Sequence, residues 1–185
     1  QAYSLASLIN WYSSQLNIQE EKRKEIESSC LRYSEKATEL AKEVDNPYYT
    51  ALSRWTASLC TLYFTEKIES ALESAQEMLQ QGSIVRDNYL KGVALYLLAQ
   101  AMDSKIVEEA DPSKKREGYT KIIEYSQDSI GYLQLVSKDA AIADTYMFYT
   151  ESYSYLAREV EVDAEKKHAL LEKAVETGRK GLEHA

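Results

Sequence analysis

Near its end the chain carries the segment LEKAVETGRKGLEH, Leu171 to His184, in which Ala174, Gly178 and Gly181 recur at i, i+4 and i+7. At 3.6 residues per turn these three fall on one helix face and leave it nearly bare, so another helix can approach closely. Each glycine inside a helix costs roughly 0.5–1 kcal/mol relative to alanine, and a packing contact must offset that. The row is not unique. Aligning DPSKKREGYTKIIEYSQDSI from Asp111 with DAEKKHALLEKAVETGRKGL from Asp163 superimposes the aspartate, the paired lysines, Lys121 on Lys173 and Glu124 on Glu176. It sets Ile122, Ser126 and Ser129 over Ala174, Gly178 and Gly181, and the same spacing recurs as Ala71, Ala75 and Met78 and as Cys30, Ser34 and Ala37. Ten of the twelve positions are Gly, Ala, Ser or Cys, which points to helices that pair through small-residue faces.

Punctuation fixes where those helices begin. Asn46-Pro47 and Asp111-Pro112 each place a capping side chain before a proline suited to the first turn, Gly82-Ser83 reads as a terminator followed by a new cap, and Asp163 caps the last helix. No stretch alternates at period two, so strands are not expected. The 3.6-residue pattern gives eight helices near 2 to 16, 19 to 44, 47 to 63, 66 to 81, 84 to 109, 112 to 136, 139 to 160 and 164 to 184. Short connections make neighbours antiparallel, so the expected fold is all-α, one domain over 1–185 built as four helix pairs at 2–44, 47–81, 84–136 and 139–184.

Composition limits the kind of work. A net charge of -8 disfavours nucleic acid as a partner, and the chain lacks any eighteen-residue apolar run that would span a membrane. The opening QAYSLASLINWY has neither a charged n-region nor a cleavage site, so no signal peptide is expected, and the chain reads as a segment of something longer. Cys30 and Cys60 are the only cysteines and sit among apolar and small neighbours; they are read as buried free thiols, which fits a reducing, cytoplasmic setting.

On alternate helices a second pattern appears. Leu59, Cys60 and Tyr63 show the spacing L-G/A-x-x-Y; Tyr153, Leu156, Ala157 and Val160 repeat it with a leading aromatic; Leu95, Leu98, Ala99 and Met102 follow it more loosely. With the small rows on the intervening helices, the chain resembles the tetratricopeptide-repeat family. Its anchors Cys30, Ala71, Ile122 and Ala174 lie 41, 51 and 52 residues apart, so the resemblance is to a variant with elongated helices. It implies a right-handed superhelix whose first helices line a concave groove. Groove-facing positions would be Arg54, Ala57 and Thr61, then Val93, Tyr96 and Gln100, then Glu151, Ser154 and Arg158. These do not reproduce the family's lysine-, asparagine- and arginine-based clamp for a terminal carboxylate. A closed bundle of the kind seen in phosphopeptide-binding adaptors is the alternative architecture.

Tyrosine is in excess, fifteen against two phenylalanines, and eleven tyrosines with both tryptophans, Trp11 and Trp55, fall on first helices. Rings with hydroxyl tips suit peptide capture, and equally they can fill the spaces between pairs. The clusters Lys22-Arg23-Lys24, Lys114-Lys115-Arg116 and Lys166-Lys167 have acidic neighbours and read as solvated ion-paired faces. Glu165-x-x-His168 is half of a di-iron helix motif without its counterpart, so no metal is expected. With no nucleophile beside a base and no glycine-rich phosphate loop, the expectation is a non-enzymatic protein-interaction or scaffold module without cofactor. Its candidate peptide contacts are Arg54, Thr61, Tyr96, Gln100, Glu151 and Arg158. A helical regulatory domain that binds a small ligand or forms a homodimer is the second reading.

Overall fold

The computed structural model describes residues 1–16, 19–65, 67–137 and 139–185. Among these lie eight helices and no strand: α1 (Ala2–Ser14), α2 (Glu20–Val44), α3 (Pro47–Phe64), α4 (Ile68–Ile84), α5 (Asn88–Ile106), α6 (Pro112–Gln134), α7 (Asp139–Tyr155) and α8 (Ala164–Leu182). A π-helical turn, Leu156–Val160, extends α7. The expected all-α class holds. The expected start of the fourth helix, residue 66, lies outside the described residues.

Three expected caps are in place. Asn46 accepts from the Tyr48 amide at 3.0 Å, Asp111 from Ser113 at 2.8 Å and Asp163 from Lys166 at 2.9 Å. The Gly82-Ser83 break is corrected. Gly82 is a buried residue within α4, and the chain turns four residues later at Arg86, whose φ is 55°. The Asp87 amide bonds to the Gly82 carbonyl at 3.0 Å and the Arg86 amide to that of Ser83 at 3.2 Å, the paired bonds of a Schellman end. The cap that follows is Asp87, which accepts from the Leu90 amide at 3.0 Å. Asp45 and Ser137 turn the chain in the same left-handed way, at φ 49° and 51°.

By contacts the chain divides into two compact units, residues 1–90 and 91–185. In the first, Tyr3 meets Tyr33 and Ser7 meets Cys30, so numbers rise along α1 as they fall along α2. Ser58 to Ala71 and Arg54 to Glu77 set α3 and α4 antiparallel in the same way. α3 also packs on α1 and α2. In the second unit, Gly92 faces Ser129 and Ile106 faces Gly118, pairing α5 with α6, while Thr150 faces Thr177 and Tyr146 faces Gly181, pairing α7 with α8. Ala99, Ile106, Tyr119, Ile122, Phe148, Leu156 and Val160 form a buried apolar cluster in this unit.

The small rows lie where helices meet. Cys30, Ser34, Ala37, Ala71, Ala75, Met78, Ile122, Ser126, Ser129 and Ala174 are all buried. In each pair a hydroxyl crosses to the opposite helix: Ser7 to the Cys30 carbonyl at 3.0 Å, Ser58 to the Ala71 carbonyl at 3.0 Å, Ser129 to the Gly92 carbonyl at 2.8 Å, and Thr150 to the Thr177 hydroxyl at 3.1 Å. A short side chain reaches a neighbouring backbone carbonyl only when the helices are close, which the small residues permit.

Cys30 and Cys60 are not free thiols. They form a disulfide between α2 and α3, with Cα atoms 6.2 Å apart. The reason is geometric: the two positions are nearly equidistant from the Asp45–Asn46 turn, so the antiparallel helices bring them level. Ser7 closes over the bond, its Oγ 3.5 Å from Cys30 Sγ and 3.2 Å from Cys60 Sγ.

Closing a loop of 30 residues removes unfolded-chain entropy worth about 3.5 kcal/mol in the loop-closure description. Replacing both cysteines by serine is therefore expected to cost residues 1–90 about 3–4 kcal/mol in urea unfolding, and a thiol assay on denatured, unreduced protein should find no free thiol. Two glycines should respond oppositely to alanine. A Cβ on Gly181 would stand 2.8 Å from the Tyr146 Cβ, an atom no rotamer can move aside, whereas one on Gly131 meets nothing within 4 Å. Calorimetry should show Gly181→Ala losing about 1–2 kcal/mol and Gly131→Ala gaining about 0.5–1 kcal/mol.

Candidate functional site

Helix α7 places Tyr146, Tyr149 and Tyr153 at i, i+3 and i+7, one face of the helix, and that face looks between α6 and α8. The three rings floor a cleft of about 430 Å³. Gln127 and Ile130 of α6 form one wall; Lys173, Glu176, Thr177 and Lys180 of α8 form the other. The α8 residues sit at i, i+3, i+4 and i+7, so the wall follows from helical spacing as directly as the floor does.

The floor is a connected hydrogen-bonding surface. The Gln127 side-chain amide donates to the Tyr149 hydroxyl, and the Tyr149 and Tyr153 hydroxyls are bonded to each other. Tyr146 and Tyr149 stack with centroids 6.3 Å apart, and Tyr149 and Tyr153 lie 5.2 Å apart. Lys173 holds its ammonium 5.6 Å from the Tyr153 ring centre. Lys180 pairs with Glu176 at 2.6 Å. At one end, His184 stacks on Tyr146 and bonds through Nδ1 to Asp139 at 2.9 Å.

Burial raises the Tyr153 phenol, and its bond to Tyr149 raises it further; burial also raises Tyr146, against the pull of the Lys180 charge. Both phenols stay protonated across the physiological range, and that of Tyr153 is bonded to Tyr149. The Lys180 hydrogen bond lowers Glu176, with Lys173 adding to the effect, and Glu176 in turn raises Lys180. Fixed dipoles and a cationic rim above three largely buried tyrosines equip this cleft to recognise a polar segment.

The residues singled out from sequence fall in different places. Arg54 and Thr61, with Ala57 between them, line a second cleft, about 520 Å³, floored by α3 and walled by α2 and α4. Arg54 is held at 2.6 Å by Glu77, and the surrounding lining is rich in hydroxyls, Ser34, Thr38, Ser70 and Ser74 among them. Tyr96 is half-buried edge-on against Phe148, with centroids 5.7 Å apart. Gln100 is only 8% exposed, so the surface contact expected of it is not made by its present side-chain position. Glu151 is exposed and adds to the burial-driven rise of the Asp103 carboxyl. Arg158 is exposed, lies over the Tyr155 ring at 5.3 Å and donates to the Ser154 carbonyl at 3.3 Å.

Glu151 and Arg158 are exposed and stand outside the α7 cleft, whereas Tyr153 lies on its floor and Thr150 bonds to Thr177 of its wall. Gln127, Lys173 and Thr177 were missed because their role depends on which helices flank α7. The available signal was the tyrosine spacing itself.

Four tyrosines on first helices, Tyr3, Tyr12, Tyr48 and Tyr63, are exposed, while Tyr146, Tyr149 and Tyr153 are buried to within 9% and fill space between helices. The basic cluster on α6 is ion-paired, Lys115 to Glu159 at 2.8 Å and Arg116 to Glu161 at 3.1 Å. These bonds, with Arg116 donating to the Val160 carbonyl at 3.3 Å, tie α6 to the π-helical turn. No helix among the described residues is long and apolar enough to cross a membrane. Comparison with protein-family models, curated proteins and solved structures finds no match, so the resemblance to tetratricopeptide repeats rests on this chain's own residues.

Proposed function

We propose that the chain is a protein-interaction module of degenerate tetratricopeptide type, and that the cleft over α7, walled by the second helices α6 and α8 rather than by first helices as the resemblance implies, receives a peptide segment of its partner. The observation that carries this reading is the floor of three tyrosines, Tyr149 bonded to Tyr153 through their hydroxyls and Tyr146 stacked on Tyr149, beneath a rim of Lys173, Glu176 and Lys180. Rings held by packing and by each other lose little entropy on binding, and their hydroxyls give direction to the contact. The rim sums to one positive charge, Lys173 and Lys180 against Glu176, which favours a segment carrying an acidic side chain.

The repeat assignment is supported by buried small rows on α2, α4 and α6, by a buried Ala174 with Gly178 and Gly181 packed on α7, and by a hydroxyl crossing in every pair. The compartment is read differently from the cytoplasmic expectation. That expectation rested on free thiols, and a Cys30–Cys60 disulfide suits a compartment where such bonds persist.

Selection of peptides against the purified protein from a displayed library tests the reading. Selected peptides should lose about tenfold in affinity with Lys173→Glu, at an exposed residue, while thermal unfolding changes little; Thr177→Arg, which fills the cleft, should weaken binding further and also lower stability, because it removes the Thr150 bond. Tyr149→Phe keeps the ring and should weaken binding about three- to tenfold. Peptides that ignore these variants and respond to Thr61→Arg would place recognition over α3 instead.

A further inference from the structure

Helix α1 buries Ser4, Ser7 and Ser14, with Leu8 and Trp11 half-buried beside them, and turns an apolar face outward: Leu5 is 59% exposed, Ile9 56%, Tyr12 63% and, in the turn that follows, Leu16 61%. The orientation is imposed by Ser7, which must lie against the disulfide and the Cys30 carbonyl. Four exposed residues spaced 4, 3 and 4 apart make the apolar seam by which one helix packs along another. Together they form a strip of apolar side chains, each more than half exposed, along one face of the helix.

From this we infer that α1 is a self-association surface, through which two copies of the chain pair about a two-fold axis with their α1 helices antiparallel. Charge selects the occupant. The molecule carries a net charge of -8, yet residues 1–19 contain no Asp, Glu, Lys or Arg, so this is a face that two acidic copies can bring together without repulsion. The seam is also self-complementary. Antiparallel pairing sets Leu5 against the second copy's Leu16 and Ile9 against its Tyr12, every position finding an apolar mate.

Sedimentation of the protein from about 1 to about 200 μM should show a monomer–dimer equilibrium. Ile9→Glu and Tyr12→Glu each place two charges in the seam and should raise the dissociation constant about a hundredfold or more. Val162→Glu, at a residue 96% exposed in the other unit, should leave it unchanged. The substituted side chains are exposed in the monomer, so circular dichroism should show the fold retained. Under oxidation, a mixture of Leu5→Cys and Leu16→Cys proteins should cross-link to each other, while Leu5→Cys alone should not. A monomer at every concentration overturns the inference, whether or not the protein then floats with phosphatidylcholine vesicles, an outcome that would assign the seam to lipid. So does a dimer that Ile9→Glu leaves intact, or cross-linking of Leu5→Cys to itself.

Discussion

Close approach of paired helices is the constraint on which the rest of this structure depends. It is visible in four hydroxyl crossings, one in each pair, three of which end on a backbone carbonyl of the opposite helix. A serine side chain spans so little distance that these bonds exist only where intervening side chains are Ala, Gly, Ser or Cys. Buried hydroxyls and carbonyls would be costly if unpaired, so the bonds also pin the relative sliding of the two helices. Packing at that separation, rather than bulk apolar burial, sets the register from which both clefts follow.

Two consequences run outward from the pairs. In the first unit, the level placement of α2 and α3 brings Cys30 to Cys60, and Ser7 then seats α1 on the bond. Seating α1 by its serines leaves Leu5, Ile9 and Tyr12 facing outward, so an unusual surface is the direct product of an ordinary core contact. In the second unit, α8 contributes Gly181 and Gly178 to its contact with α7 and thereby presents Lys173, Glu176 and Thr177 beside the tyrosines. The bare face of α8 is thus taken up by α7. The side of α8 left open carries Leu171 and Val175 instead.

Much of the fold was legible because local rules and packing agree in it. Asn46, Asp111 and Asp163 cap helices where a short acceptor precedes a first turn, and the small rows marked the inner faces of α2, α4, α6 and α8. Gly82 misled because a glycine offers a left-handed turn without requiring one; Arg86 took that conformation, held by the two bonds of the helix end. The disulfide was missed by weighing the cysteine count alone, although the distances of Cys30 and Cys60 from the Asp45–Asn46 turn already placed them opposite one another. Of the candidate site, the tyrosine excess was plain and its location was not. The cleft is set by which helices flank α7, which the period of one helix does not state, so Gln127, Lys173 and Thr177 could not be named from their own spacing.

The central claim is that small residues on one face of each second helix set the separation of the pairs. Urea unfolding of Ala71→Leu tests it most directly, since Ala71 is fully buried and its carbonyl receives Ser58. Forcing α3 and α4 apart at that point should lower stability by about 2–3 kcal/mol, while the same side chain at exposed Glu73 should change it by no more than about 0.5 kcal/mol. An Ala71→Leu protein that unfolds at the same urea concentration as the parent, or a higher one, would contradict the account.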